Sequence, residues 1–119
     1  MRILLAEDDP SIAAVTVELL AGEGYDVTHA AGQREARRLA RAASWDLFLV
    51  DMFGASYERP GPDDRAFLRE LAARGPVLVV TARPWAARVS AAELGVAAIL
   101  AKPYDVVELL GLIRSVTGR

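Results

Sequence analysis

Four consecutive apolar residues precede a single carboxylate in Leu47-Phe48-Leu49-Val50-Asp51. A strand that is apolar at consecutive positions is covered on both faces, as happens in a parallel sheet with helices on either side. Three other runs share this character, at residues 3–6, 77–80 and 96–101. Longer stretches with helical spacing separate the runs, and this alternation predicts a parallel sheet built from successive strand–helix units.

The segments between these runs predict five helices and one more strand. Asp9 can cap the first helix, with Pro10 at its first position, where a missing N–H costs nothing. Strict alternation of strands and helices means parallel strands joined by right-handed crossovers. We therefore expect a single domain over residues 1–119, a three-layer α/β sandwich around a five-stranded parallel sheet. The predicted helices span residues 10–22, 33–43, 63–73 and 84–94, with a last one from residue 106, and the remaining strand spans residues 25–29.

The composition excludes several classes of protein. Lys and Arg total 14 against 16 Asp and Glu, a net charge of -2, so no bulk attraction to nucleic acid or to an anionic membrane is expected. The absence of cysteine and the single histidine, His29, exclude disulfides, thiol catalysis and metal sites built from several of these residues. No apolar run approaches the roughly 20 residues of a membrane helix. An acidic run at residues 7–9 follows the start too soon for a signal peptide, and we expect a cytoplasmic protein.

Side chains that can carry chemistry follow four of the five predicted strands. They are Glu7-Asp8, Asp51, Thr81 and Lys102. In an open parallel sheet, sites form beyond the carboxyl ends of the strands. In the common order 2-1-3-4-5, strands 1 and 3 are neighbours, so three carboxylates would share one cleft and resist joint ionisation. A divalent cation removes that conflict, and Mg²⁺ suits an oxygen-only site with carboxylates, a carbonyl, waters and a phosphate oxygen.

The remaining two residues suit a phosphoryl group. The Thr81 hydroxyl can donate to one phosphoryl oxygen, and the Lys102 ammonium can neutralise another. A carboxylate is a competent phosphoryl acceptor, and phosphoryl transfer needs mainly positioning and charge neutralisation. Taken singly, each of these residues is more often a strand-end or surface residue. Their joint order along the chain favours a site that becomes phosphorylated on Asp51.

Four motifs make the chain similar to a known family. It resembles the receiver domains of bacterial two-component response regulators over essentially its whole length, and the resemblance implies a flavodoxin-like fold with strand order 2-1-3-4-5. Any one motif alone is weak, whereas all four at successive strand ends are specific. The motifs are Ile3-Leu4-Leu5-Ala6-Glu7-Asp8-Asp9-Pro10, Leu47-Phe48-Leu49-Val50-Asp51-Met52, Val79-Val80-Thr81-Ala82 and Leu100-Ala101-Lys102-Pro103-Tyr104.

The resemblance implies a cofactor and its ligands. Asp51 would accept the phosphoryl group from a sensor histidine kinase, a phosphotransfer protein or a small phosphodonor. Mg²⁺, with Mn²⁺ as an alternative, would bind Asp8 and Asp51 directly and Glu7 largely through water. The backbone carbonyl of Phe53 would complete the protein ligands.

The resemblance also implies roles for the other strand-end residues. Thr81 would swing toward the phosphoryl group and report its presence, and Lys102 would bridge to that group. The peptide bond between Lys102 and Pro103 would be cis.

The chain departs from the family pattern at three places. Ile99 stands where the family usually has an aromatic residue whose rotation follows the threonine. Ala55 replaces a frequent proline, and the loop at residues 56–62 is about four residues longer than usual by helix register. Phe53 and Arg83 flank the site at positions that tune the access of water to the acyl phosphate. We therefore expect intact chemistry with an altered signalling output.

Three functions compete on these observations. The first is a phosphorylation-dependent switch that acts on a downstream protein, catalyses only its own phosphorylation and dephosphorylation, and is otherwise no enzyme. The second is a phosphorylation-independent pseudo-receiver that acts as a protein-binding module. The third is a Mg²⁺-dependent phosphatase, disfavoured because no second aspartate lies two residues after Asp51. Direct binding of nucleic acid or membrane is not expected. The apolar residues beyond the main stripe of the last helix have two interpretations, ordinary burial or a surface for self-association, and a homodimer is one outcome (Val107, Leu112, Val116).

Three other features have structural interpretations. His29 ends a strand and is expected to be structural or exposed rather than a phosphodonor. Trp45 and Trp85 are expected to be packing residues. The second helix has an arginine face that is expected to be solvated rather than to bind an anion or acidic partner: Arg34, Arg37, Arg38 and Arg41.

Overall fold

The chain forms one five-stranded parallel sheet. A computed structural model describes residues 1–51 and 60–118. The strand order is β2-β1-β3-β4-β5, and every neighbouring pair is parallel. This confirms the predicted sheet and its order. The strands are β1 (Arg2–Glu7), β2 (Asp26–Ala30), β3 (Leu47–Asp51), β4 (Val77–Thr81) and β5 (Ala98–Ala101).

Helices cover both faces of the sheet and divide the core in two. One apolar cluster joins one face of the sheet to α1 and α5, and a second cluster joins the other face to α2, α3 and α4. The result is the predicted three-layer, flavodoxin-like sandwich. No described helix has the length and apolar character that a membrane crossing requires. The helices are α1 (Pro10–Gly22), α2 (Gln33–Ala42), α3 (Pro62–Ala72), α4 (Ala91–Leu94) and α5 (Val106–Thr117).

The fourth helical segment is shorter than the sequence pattern predicts. A continuous helix over residues 84–94 is wrong, because a 3₁₀ turn at Pro84–Ala87 precedes a separate α4. Trp85 is fully buried within that turn. Ser90 then begins a new helix: its hydroxyl accepts a hydrogen bond from the Glu93 backbone N–H at 3.1 Å. Two helix starts so close together leave each segment only one turn long.

The turn from β1 into α1 is fixed as predicted. Asp9 caps α1, since its Oδ1 accepts hydrogen bonds from the backbone N–H groups of Ser11 at 2.9 Å and Ile12 at 3.1 Å. Pro10 occupies the first turn of the helix. The turn that carries the acidic residues after β1 is therefore anchored to the first turn of α1.

Two of the four arginines on α2 hold that helix against α3. Arg37 Nε lies 2.7 Å from Glu70 Oε2, and Arg41 also pairs with the Glu70 carboxylate. The Arg37 guanidinium lies 5.2 Å from the centre of the Phe67 ring. Arg37 is therefore part of the contact between α2 and α3, whereas Arg41, although paired, is exposed like Arg34 and Arg38.

Trp45 packs at the amino-terminal ends of the strands, opposite the end of the sheet that carries the acidic residues. Its Nε1 donates a hydrogen bond to the Leu39 carbonyl at 2.9 Å. The Arg2 guanidinium lies 4.5 Å from the centre of the indole ring, within the range of a cation–π contact. The predicted packing role of Trp45 is confirmed.

Candidate functional site

The ends of β1 and β3 bring two carboxyl groups side by side. The register of the parallel pair sets Glu7 opposite Asp51. Neighbouring positions on parallel strands project from the same face of a sheet. The acidic residues that lie 44 positions apart in the sequence thus meet at one edge, as the strand order predicted.

Lys102 reaches this acidic pair from the far side of β4. Its ammonium forms an ion pair with the Asp51 carboxylate, and its backbone N–H donates to the Thr81 carbonyl at 2.8 Å. The Lys102–Pro103 peptide bond is cis, as the family resemblance implied. The loop after β5 therefore directs the lysine side chain back over the ends of β4 and β3.

Thr81 lies between these elements at the end of β4. It is only 2% exposed, and its Oγ1 accepts a hydrogen bond from the Arg83 backbone N–H at 3.0 Å. Arg83 itself is half-buried. A hydroxyl in this position can release that N–H and donate its own hydrogen to an acceptor at the strand ends.

Burial makes the charges of the site interdependent. Glu7 is 3% exposed, and burial, together with the neighbouring Asp51 carboxylate, raises the pKa of Glu7 to about 8. Burial lowers the pKa of Lys102, but its hydrogen bond to Asp51 and the charges of Asp51 and Glu7 outweigh this and hold that pKa above its ordinary value. Two carboxyl groups therefore share one ammonium, and in the absence of a metal Glu7 is largely neutral at pH 7 beside the Asp51–Lys102 ion pair.

The oxygen atoms that remain fit a magnesium ion. Glu7 Oε2 is buried, and no described residue donates a hydrogen bond to it. Asp8, the next residue, is exposed at the mouth of the site. Among the described residues, Glu7, Asp8 and Asp51 do not come together as a ready-made group of three acidic side chains that could hold a metal ion. Mg²⁺ does not need one, because it binds through one or two carboxylates with waters and phosphate oxygens.

Two sequence predictions fall outside the described residues. Phe53, predicted both as a carbonyl ligand and as a residue that tunes hydrolysis, lies within residues 52–59. Most of the loop predicted to be longer than usual lies there too. The described chain resumes at Pro60, which is buried, and α3 begins at Pro62.

Ile99 lies in the middle of β5 and contacts the core with part of its side chain. It is half-buried and packs against the core cluster that contains Trp85 and Leu94. A β-branched residue fits the middle of a strand and has restricted rotamers. Ile99 therefore links β5 to the 3₁₀ turn that follows Thr81.

Two residues near the site were missed as functional candidates. His29 Nε2 forms a 2.7 Å hydrogen bond with the Glu7 carbonyl. A structural role was predicted for this histidine, but its contact with the acidic turn was not. Tyr104 is half-buried; burial, with the charges of Asp51 and Glu7, raises its pKa against the opposing charge of Lys102. The sequence indicated its proximity to the site only through its position, two residues after Lys102.

These features agree with a comparison against known families. The model of the response regulator receiver domain matches residues 3–114, and the chain belongs to that family. Its members take part in two-component signal transduction. The resemblance stated from the four strand-end motifs is thereby confirmed.

Two relatives match this chain over nearly its whole length, but the match covers only part of each relative's own length. The transcriptional regulatory protein QseB of Escherichia coli O157:H7 is 32% identical over 123 residues, which cover 100% of this chain and 54% of QseB. The DNA-binding transcriptional regulator NtrC of Rhizobium meliloti (strain 1021) is 32% identical over 117 residues, which cover 93% of this chain and 23% of NtrC. The chain therefore spans about half the length of one relative and about a quarter of the other.

A solved receiver domain shows a related site with its metal. The receiver domain of the sensor histidine kinase PA1611 from Pseudomonas aeruginosa PAO1 is 30% identical, with a TM-score of 0.78. The similarity covers 99% of this chain and 98% of that domain. That structure has a magnesium ion coordinated in its active-site cleft.

Proposed function

We propose that this chain is a cytoplasmic receiver that accepts a phosphoryl group on Asp51 and passes the signal to a partner protein. The observation that supports it most is the grouping of Asp51 with Lys102, Glu7 and Thr81 at one edge of the sheet. The donor is a sensor histidine kinase, a phosphotransfer protein or a small phosphodonor. The protein is a switch rather than a conventional enzyme, since it modifies only itself.

The chemistry follows from the positions of three side chains. An Asp51 carboxylate oxygen attacks phosphorus, and the bond from phosphorus to the donor breaks with its electron pair leaving on the donor. The Lys102 ammonium, already beside this carboxylate, then pairs with the negative charge of the phosphoryl oxygens. Thr81 donates its hydroxyl hydrogen to another phosphoryl oxygen. Charge neutralisation and alignment are the main requirements of such a transfer.

A magnesium ion fits the surplus of carboxylate oxygen in this site. Asp8 and Asp51 would bind it directly, Glu7 would act largely through water, and the Phe53 carbonyl, outside the described residues, would complete the protein ligands. Mn²⁺ has the same preference for oxygen ligands and is the alternative. When bound, the cation offsets the negative charge of the carboxylates and of the incoming phosphoryl group. The metal in the related PA1611 receiver domain supports this assignment.

Signal output would begin at Thr81. When its hydroxyl turns to the phosphoryl group it gives up the hydrogen bond from the Arg83 N–H. Arg83 directly precedes the 3₁₀ turn that contains Trp85, and Ile99 packs in the same cluster. Phosphorylation would thus shift the position of this turn relative to β5, without the aromatic rotation that is usual in the family.

Partner binding and oligomeric state stay predictions. Val107 on α5 is 75% exposed, whereas Leu112 and Val116, the other candidates for self-association, pack against the core. The exposed apolar surface of α5 is therefore limited to Val106 and Val107 at its start. This surface is smaller than the sequence pattern suggested. The phosphorylation-independent binding module is less well supported, because the acidic pair, the threonine and the lysine are all in place.

Intact-mass spectrometry tests the proposed function. The protein is incubated with acetyl phosphate or phosphoramidate, with and without Mg²⁺, beside Asp51→Ala. Asp26→Ala is the matched control, because Asp26 is an exposed aspartate at the start of β2. We expect one phosphoryl adduct in the wild type and in the Asp26 variant that requires Mg²⁺ and is absent in the Asp51 variant. An adduct that persists in Asp51→Ala contradicts the proposal.

A further inference from the structure

The side chain of His29 makes a hydrogen bond with the backbone of the acidic turn. His29 Nε2 lies 2.7 Å from the Glu7 carbonyl oxygen. A carbonyl oxygen only accepts hydrogen bonds, so Nε2 carries the hydrogen in this contact. His29 lies on β2 opposite Leu5, two residues before Glu7 on β1, and is half-buried.

The Glu7 carbonyl needs this donor because the ladder between β1 and β2 ends just before it. The last paired positions are Ala6 and Ala30, and β2 ends at Ala30. Glu7 is nevertheless 3% exposed, and a buried carbonyl without a partner costs free energy. The imidazole N–H thus supplies a side-chain hydrogen bond where the backbone ladder has stopped.

Further hydrogen bonds continue from Glu7 into α1. Glu7 Oε1 accepts a hydrogen bond from the Asp9 backbone N–H at 3.1 Å, and Asp9 in turn caps α1. Asp8 lies between these two fixed residues. Its backbone is therefore held on one side by the carbonyl contact of His29 and on the other by the helix cap.

We infer that His29 is a positioning residue for the magnesium site: its Nε2–H holds the Glu7 carbonyl and thereby fixes the Glu7-Asp8 turn in a metal-binding conformation. The inference rests on the proposed function, since it assumes that this turn binds Mg²⁺. Outer partners of metal ligands typically change metal affinity by about 10- to 100-fold when removed. Because His29 acts through the backbone, we expect a loss near the lower end, about tenfold.

Isothermal titration with Mg²⁺ alone measures this effect on the full chain. The variants are His29→Leu, which removes the donor, His29→Gln, whose amide can place an N–H near the Nε2 position, and His29→Asn, whose shorter amide cannot. Trp45→Phe is the matched control, because it also removes one side-chain donor from a backbone carbonyl, at the opposite edge of the sheet. Thermal unfolding of each variant gives its stability.

We expect His29→Leu and His29→Asn to weaken Mg²⁺ binding about tenfold, and His29→Gln and Trp45→Phe to stay within twofold of the wild type. If His29→Leu does not fold, the contrast between Gln and Asn decides. Equal Mg²⁺ affinity in those two variants, or wild-type affinity in His29→Leu, overturns the inference.

The failure of the proposed function gives a different pattern. A wild-type protein that binds Mg²⁺ but takes no phosphoryl group contradicts the proposed function and leaves the comparison of His29 variants decisive for this inference. A wild-type protein that binds no Mg²⁺ overturns the inference itself.

Discussion

Lys102 and Asp51 form an ion pair although the strands that precede and carry them, β5 and β3, are not neighbours in the sheet. The lysine side chain crosses the end of β4, where Thr81 is buried, and its own backbone N–H is bonded to the Thr81 carbonyl. The ammonium is therefore positioned beside the Asp51 carboxylate by a loop that is bonded to the end of the strand between them. Such preorganisation would reduce the rearrangement that the proposed phosphoryl transfer requires.

Replacement of Lys102 separates metal binding from phosphoryl transfer. Lys102→Ala removes a cation beside Asp51, so we expect equal or tighter Mg²⁺ binding, because the carboxylates lose a competing positive charge. Adduct formation with phosphoramidate at saturating Mg²⁺ slows about 100-fold, the usual cost of losing one stabilising group in a transfer site. Arg114→Ala, a change of an exposed cation on α5, is the control for net charge. Unchanged adduct formation in Lys102→Ala contradicts the role given to the lysine.

The raised pKa of Glu7 gives a pH-dependent stability in the absence of metal. Its folded pKa of about 8 lies above the ordinary value of 4.5, so the folded protein loses stability as pH rises from about 4.5 to 8. Glu7→Gln removes this loss. In EDTA we expect the variant to be more stable than the wild type in urea unfolding at pH 8, with a smaller difference near pH 5.

The control for this experiment is Glu18→Gln, an exposed glutamate on α1. Its stability relative to the wild type should not vary over the same pH range in the way that Glu7→Gln varies. A difference between Glu7→Gln and wild type that is equal at pH 5 and pH 8 contradicts the electrostatic account of the acidic pair.

Glu70 is expected to show the opposite dependence. The hydrogen bond from Arg37, with Arg41, lowers the pKa of Glu70 below its ordinary value of 4.5 despite opposing desolvation. Its contribution to stability is therefore present above about pH 4.5 and is lost as the pH falls through the lower folded value. Glu70→Gln should destabilise the protein by up to about 1 kcal/mol at pH 7, because the pair is partly exposed and screened.

The measurement for Glu70→Gln is urea unfolding at pH 7 and at pH 3, at low and high salt. The difference from wild type should shrink at the lower pH and also at high salt. A difference that persists unchanged under both conditions would assign the effect to the packing and uncharged hydrogen bonding of residue 70 rather than to its charge.

Trp85 should report phosphorylation through its fluorescence. The chain has two tryptophans, so Trp45→Phe leaves Trp85 as the only indole. Trp85 is buried one turn after Thr81, and loss of the Arg83-to-Thr81 hydrogen bond should alter its surroundings. We expect an emission change at the rate of adduct formation with phosphoramidate and Mg²⁺.

The control is the same experiment in the variant that combines Trp45→Phe with Asp51→Ala, which should show no such change. Complete adduct formation with unchanged Trp85 emission would mean that the signal does not leave through the 3₁₀ turn.

The sequence predicts the sheet and the grouped side chains well, for a physical reason. Buried strands such as β3 and β4 require consecutive apolar residues, and chain connectivity brings their carboxyl ends to one edge. Asp51, Thr81 and Lys102 follow those strands directly, so their proximity depends on topology alone.

Other features depend on distances that no periodic pattern specifies. The contact of His29 with the Glu7 carbonyl depends on where β2 ends relative to β1. The pairing of Arg37 with Glu70 depends on the separation of α2 from α3. The division of residues 84–94 into two short segments arises because Ser90 starts a second helix inside a pattern that reads as continuous.

Locating the modified residue shows whether Asp51 itself takes the phosphoryl group. After reaction with phosphoramidate and Mg²⁺, borohydride reduces an aspartyl phosphate to homoserine, and peptide mass spectrometry then identifies the converted position. We predict homoserine at position 51 and at no other aspartate. Conversion at Asp8 or Asp9, or a borohydride-resistant phosphoryl group on His29, would contradict the account.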